Sequence, residues 1–203
     1  MRIKILYNRF RSILHTVILS RTKGLLIGAG TTIFYKSNII CTPKSYAHLG
    51  GVKIGANCKI GRQEYGYHGG MPFFTTLLSD GEGSKITIGD NCRINGAYIH
   101  AEKSITIGNN CVMASGVNII DSNGHEVRSM NRTVGRDTPK EVVIGNNVWI
   151  CMNATILKGS AIGDNVVIAA GSVIQGTIPP NTIASTKGQL IITKIDFGRD
   201  IPR

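Results

Sequence analysis

Large rings are scarce in this chain: aromatic residues fill 6% of its 203 positions, and only one is Trp. A core built without them suits closely stacked strands better than packed helices, and the 42% hydrophobic content with 25 glycines points the same way. No apolar run is long enough to span a bilayer and no signal-peptide cleavage pattern is present, so cytoplasmic residence is expected. The five cysteines include no Cys-x-x-Cys pair, and their odd number argues for reduced thiols over a disulfide framework or a zinc site. Nor is there a His-x4-His pair of the kind a three-histidine metal site would use, so no metal is expected. Acidic residues are missing from the first 24 positions, which hold Arg2, Lys4, Arg9, Arg11, Arg21 and Lys23. The net charge of +11 would suit nucleic acid, but the other basic residues are dispersed and no aromatic stacking cluster accompanies them. An anionic cofactor together with an anionic membrane or substrate accounts for the charge instead.

What the chain does contain is a repeat. Ile-Gly-x-Asn-[Cys/Val] occurs five times, beginning at Ile54, Ile88, Ile107, Ile144 and Ile162, with a looser copy at Ile27. Between Ile144 and Ile174 an aliphatic residue returns every six positions, at Ile144, Ile150, Ile156, Ile162, Ile168 and Ile174. Six is neither the period of a helix nor that of a simple strand. It fits a chain that runs flat, turns a corner and repeats, with three faces making a coil of 18 residues. The first Ile of each unit and the small residue four positions later (Thr31, Cys58, Cys92, Cys111, Val148, Val166) are expected inside the prism. The intervening Asn or Gly is the type that best accepts a left-handed backbone at a corner.

These motifs, densest in Val143–Ile150, Ile168–Val173 and Ile178–Asn181, resemble the hexapeptide-repeat acyltransferase family, in particular its galactoside, maltose and polysaccharide O-acetyltransferase branch. The resemblance runs from about Ile27 to Ile192. It implies an all-β, left-handed parallel β-helix, a homotrimer with active sites between neighbouring subunits, acetyl-coenzyme A as co-substrate, and a sugar or glycan hydroxyl as acceptor. Handedness comes from the resemblance alone, because a left-handed crossover departs from the general rule. The expected organisation is an amphipathic helix within 1–24, the β-helix over 25–192 with inserted loops at about 62–85 and 121–142, and a tail from 193 to 203.

Interruptions of a regular solenoid are where function concentrates. Ile107 and Ile144 lie 37 positions apart, one coil plus an extra polar segment that contains Gly124-His125-Glu126-Val127. Acetyl transfer to an alcohol needs a base for a hydroxyl of very high pKa, and a neutral imidazole near its ordinary pKa of about 6.5 suits that task. The family's catalytic histidine lies in a similar Gly-His-x-Val stretch, which makes His125 the expected base. The resemblance also marks Asn95, as an acceptor- or water-binding residue or as one more corner asparagine. Asp121 is grouped with Asn95 as a substrate-binding residue and could orient the imidazole, although a backbone carbonyl could do so too.

Ala170 and Gly171 match family positions that contact the pantetheine arm. The basic slot that usually follows holds Leu190 here, leaving Lys187 or Lys194 for the coenzyme A phosphates. Trp149 is expected in core or interface packing, and Cys151 is expected to be inert. The 62–85 segment, with Tyr65, Tyr67, His68, Phe73 and Phe74, reads as a lid, an acceptor-binding loop or a misfit coil.

Residues 3–19 place Ile3, Leu6, Tyr7, Phe10, Leu14, Val17 and Ile18 on one helical face. Such a helix either caps the first coil or docks on an anionic membrane, and the two are compatible. Three other readings compete: N-acetylation of an amino sugar, a metal-dependent carbonic anhydrase on the same coil, and a non-catalytic scaffold.

Overall fold

The computed structural model describes residues 2–61, 73–126, 130, 131, 133–186 and 190–194. Helix α1 (Arg2–Leu19) precedes a three-sided prism. Its first coil consists of β1 (Leu25–Ile27), β2 (Thr32–Ile33) and β3 (Asn38–Cys41), followed by the short helix α2 (Pro43–Tyr46). The second is β4 (Gly51–Ile54), β5 (Lys59–Ile60) and β6 (Thr76–Ser79); the third is β7 (Lys85–Ile88), β8 (Arg93–Ile94) and β9 (Tyr98–Ala101). The fourth is β10 (Ser104–Ile107), β11 (Val112–Met113) and β12 (Asn118–Ile120), and the fifth β13 (Val142–Ile144), β14 (Trp149–Ile150) and β15 (Thr155–Ile156). The sixth is β16 (Ala161–Ile162), β17 (Val167–Ile168) and β18 (Val173–Ile174). Strands β19 (Thr177–Ile178) and β20 (Thr182–Thr186) follow, and β21 (Leu190–Lys194) turns back antiparallel on β20.

One strand from each coil enters each of three parallel sheets: face A from β1 to β19, face B from β2 to β20, face C from β3 to β18. Neighbouring coils thus satisfy each other's backbone groups. The expected interior is present. Ile54, Ile88, Ile107, Ile144 and Ile162 are buried, and so are Thr31, Cys58, Cys92, Cys111, Val148 and Val166. The three cysteines form a column in which each thiol donates to a carbonyl of the next coil: Cys58 to Gly89 at 3.1 Å, Cys92 to Gly108 at 3.2 Å and Cys111 to Gly145 at 3.2 Å.

At the corner between faces A and B, Asn57, Asn91, Asn110, Asn147 and Asn165 all have φ between 52° and 59°. A carboxamide tolerates that left-handed conformation better than most side chains. The glycine of each repeat answers a different need. A Cβ on Gly108 would lie 2.6 Å from the Gly145 carbonyl oxygen, so two coils could not stack there.

Two boundaries differ from the sequence expectation. Thr76–Ser79 is strand β6, registered with β3 and β9, so the first insertion ends well before residue 85. Val142 is a buried strand residue, which confines the second loop to 121–141. That loop leaves the pairing of β10 with β13 intact, with Ile107 opposite Ile144. At the far end β21 covers the open edge of face B, so that Thr193 and Lys194, expected in the tail, belong to a strand.

Helix α1 does cap the first coil, but with the face opposite to the apolar one. Ser12 is buried, and the Thr16 hydroxyl accepts the Ile33 N–H of edge strand β2 at 2.8 Å while donating to the Ser12 carbonyl at 2.8 Å. Strand β2 has no coil above it, so its backbone groups need hydrogen bonds that a polar helix face supplies and an apolar one does not.

Candidate active site

His125 stands on the 121–141 loop, which leaves the prism at the corner between faces C and A, just after β12. The side chain is exposed, and Gly124 before it has φ +76° with open space around its Cα. Glycine is needed there for backbone conformation, not for clearance.

The root of this loop is firmly tied. Asp121 is fully buried, and its carboxylate accepts the N–H groups of Glu102 at 2.8 Å, Lys103 at 2.7 Å and Ser104 at 2.7 Å. Both oxygens are therefore committed to the turn between β9 and β10, and no hydrogen bond joins Asp121 to the His125 ring. The role the sequence offered Asp121, beside the imidazole or the substrate, gives way to a structural one. A buried carboxylate that lost those amides would be costly to keep. A second tie crosses the loop. Asp137 accepts the Asn123 N–H at 2.8 Å and is paired with Lys158, whose Nζ lies 2.6 Å from Oδ1. The Lys158 ammonium, with the Asn123 amide, holds the Asp137 carboxyl below its ordinary range. His125 is thus displayed from a loop held at both of its limbs.

The corner between faces B and C carries the other marked residues. Asn95 lies between β8 and β9, half-buried, and its side-chain oxygen is buried without a hydrogen-bond partner. An unpaired buried amide oxygen costs about 1–3 kcal/mol, which marks it as a position awaiting a donor. Up the same edge the backbone forms a ladder: Gly116 N–H to Gly96 at 2.8 Å, Asn153 N–H to Ser115 at 3.0 Å, and Gly171 N–H to Met152 at 2.9 Å. Ala170 and Gly171 are exposed at its upper end, where a Cβ on Gly171 would meet nothing within 4 Å. An extended amide chain fits such a bare edge. Half-buried Cys151 lies on this edge too, and burial raises its thiol pKa, which disfavours the thiolate a nucleophile would need.

Asn95 and His125 therefore occupy the two different edges that bound face C. A four-residue strand such as β9 separates those edges by roughly 13 Å. Lys194, exposed on β21, pairs with Thr182 and so stands at the opposite end of face B from Gly171. Lys187, Tyr65, Tyr67, His68 and Val127 lie outside the described residues. Trp149 is not a core residue. It is 52% exposed on the outer side of face B, in register with Val112 and Val167.

Among the described residues, sequence reasoning missed two pairs in which both partners are mostly buried. One is Asp137–Lys158; the other is His100–Asp80, with Nε2 2.7 Å from Oδ1 at the corner between faces C and A and the Tyr98 ring 5.9 Å from the imidazole. The second was within reach, because Leu78 registers with His100, but only once 76–79 is read as a strand.

A prism with these repeats is a left-handed parallel β-helix of the hexapeptide class. Two family models match it: bacterial transferase hexapeptide (six repeats) over residues 141–176, and hexapeptide repeat of succinyl-transferase over residues 85–120. The chain is 30% identical over 177 residues to the putative lipopolysaccharide biosynthesis O-acetyl transferase WbbJ of Escherichia coli, covering 81% of this chain and 83% of that one. It is 38% identical over 115 residues to the galactoside O-acetyltransferase of the same organism, covering 56% of each. Among solved structures it resembles AntD, an N-acyltransferase from Bacillus cereus in complex with dTDP and 3-hydroxybutyryl-CoA. The TM-score is 0.64 at 18% identity, over 85% of this chain and 84% of that one. The chain belongs to the hexapeptide-repeat acyltransferase family, and it is an enzyme of the acyl-transfer class.

Proposed function

We propose that this protein transfers an acetyl group from acetyl-coenzyme A to a sugar hydroxyl, in the building of a cell-surface polysaccharide, with His125 as general base. The observation that carries this reading is the pairing of a tied loop displaying His125 with the unpartnered oxygen of Asn95 on the neighbouring edge. Because the two edges are separated by a face of one chain, a complete site calls for the edge of a second copy, which supports the homotrimer. The apolar stripe of Val112, Trp149, Val167 and Ile183 on the outer side of face B is suited to such packing. The likeness to the WbbJ and galactoside enzymes favours a sugar hydroxyl as acceptor.

The bare edge ending at Ala170 and Gly171 suits the pantetheine arm; Lys187 is then the remaining candidate for the phosphates, because Lys194 stands at the far end of face B. Acetyl-coenzyme A, when bound, supplies the activated thioester. The neutral His125 ring takes the proton from the acceptor hydroxyl as it attacks, and returns it to the departing sulfur. Asn95 offers its free oxygen to an acceptor hydroxyl or an ordered water. A main-chain N–H of the edge would stabilise charge on the carbonyl oxygen. No acyl-enzyme is needed, consistent with a disfavoured Cys151 thiolate.

The likeness to AntD favours a second reading, N-acylation of an amino sugar, where an amine acceptor demands less of a base. Coenzyme A release against free sugars, nucleotide sugars, amino sugars and glycans separates the two. His125→Ala should lower turnover by roughly 10²–10⁴ with an unchanged melting temperature. Near-native turnover on a hydroxyl acceptor would sink the assignment.

A further inference from the structure

Helix α1 meets the prism through Ser12, His15, Thr16 and Leu19. His15 Nε2 lies 3.4 Å from the Ser37 carbonyl oxygen, and Leu19 packs against the core. Turned the other way are Leu6, Tyr7, Phe10, Ile13, Leu14, Val17 and Ile18, each between 49% and 65% exposed. At 3.6 residues per turn these seven fall in one arc of roughly 140°, centred opposite Ser12 and Thr16. A globular helix does the reverse, hiding its apolar arc against the core. Here the hydrogen-bonding needs of the open β2 edge have claimed the polar face, and seven large apolar side chains are presented outward, away from the first coil.

The charge distribution says what covers them. Arg9 and Arg11 flank the arc, both exposed, and Arg11 is held in place with its guanidinium carbon 4.0 Å from the Tyr35 ring centroid. Arg21 and Lys23 follow at the end of the helix, also exposed. No acidic residue precedes Glu64, while residues 1–63 hold 11 of the 23 Lys and Arg. The remaining 12 basic residues are matched by 12 acidic ones, so the whole net charge of +11 arises from residues 1–63, which span α1, the first coil and the start of the second. The prism is therefore polarised along its axis, cationic at the end where the apolar arc points outward.

We infer that α1 is an in-plane membrane anchor, its apolar arc seated in the headgroup region of an anionic bilayer with the surrounding cations on lipid phosphates. A second copy of α1 is a poorer occupant, because it would bring two cationic ends together. Nucleic acid would leave the apolar arc in water. In a trimer of parallel prisms the three helices would lie at one end and could meet one membrane plane together, with the catalytic edges rising from it. Lipid binding is independent of the acetyl-transfer reading, because it is measured without either substrate.

The test is co-sedimentation of the full chain with vesicles of phosphatidylcholine alone or mixed with phosphatidylglycerol. Binding should be about tenfold or more tighter to the anionic vesicles and should weaken in high salt. Phe10→Glu and Leu14→Glu, made separately, should each weaken it about tenfold or more without moving the melting temperature, because both positions face outward. The double variant Arg21→Glu, Lys23→Glu lies beyond the helix and probes the charge alone. It should abolish the preference for anionic lipid. Equal binding to both vesicles, or native-like binding by a folded Glu variant, would overturn the proposal. So would a concentration-dependent assembly that the Glu variants abolish, which would give the face to a second copy.

Discussion

Two edges of the same prism show opposite solutions to turning a corner. Between faces A and B every turn is tight, with an asparagine at positive φ in each coil from the second on and Gly30 in the first. A side-chain oxygen of the next coil caps four of these turns: Asp90 on Ala56 N–H at 2.7 Å, Asn109 on Asp90 N–H at 2.7 Å, Asn146 on Asn109 N–H at 2.9 Å and Asp164 on Asn146 N–H at 2.6 Å. Nothing protrudes there. Between faces C and A the corners open into α2, the Asp80–Ser84 turn beside His100, and the His125 loop. The closed edge spends its polar groups on its own backbone. The open edge is held by a few buried carboxylates, and that leaves other side chains free for chemistry.

The sharpest way to break this contrast is to add a methyl group at each edge. Gly108→Ala would push a Cβ to within 2.7 Å of the Gly145 backbone, where neither coil can yield. It should cost about 3 kcal/mol, or roughly 6–12 °C in melting temperature. Gly124→Ala on the open edge meets nothing within 4 Å, and only its positive φ resists, at about 1 kcal/mol. Equal destabilisation by the two would mean that the edges do not differ in kind.

How the sequence disclosed the two edges follows from the same difference. The closed edge repeats with the coil, so its Ile-Gly-x-Asn units announce both the core and the turns; Asn147 and Cys111 sit where the period puts them. The open edge obeys no period. His125 could be singled out by its Gly-His setting in an interruption, and Asn95 by resemblance, but what Asp121 does depends on amides 17 to 19 residues away at the turn of the coil below. Asp137 and Lys158 likewise meet only because the loop folds back, at a length that no repeat dictates. The orientation of α1 was hidden for a related reason. Helical periodicity reveals that an apolar face exists, whereas the unpaired edge of β2 decides which way that face turns.

A medium effect tests whether the ties on the open edge serve the site. Asp137→Asn keeps the shape but weakens the pairing with Lys158, letting the limb that carries Asn123 and His125 move. If loop geometry matters to proton transfer, turnover should fall roughly ten- to a hundredfold with little change in melting temperature, because the coils are untouched. An unchanged rate would mean that the clasp does not position His125.

The smallest effect is a titration of that same clasp. The folded state lowers the Asp137 pKa, chiefly through Lys158, from the ordinary value of 3.8. The clasp therefore contributes its full stability above the unfolded carboxyl's pKa, and that stability is lost as pH falls through the lower folded value. From neutral pH down to about 4 the Asn123 amide should stay protected from hydrogen exchange, after correction for the intrinsic rate. Below that its protection should decay, while amides of the closed edge, such as Asn110 N–H on the Asp90 carbonyl, stay slow. In Asp137→Asn the Asn123 amide should be poorly protected at every pH. Loss of protection at the two edges in a single step would mean that the loop and the coils unfold as one unit, and that the open edge is no more separable than the closed one.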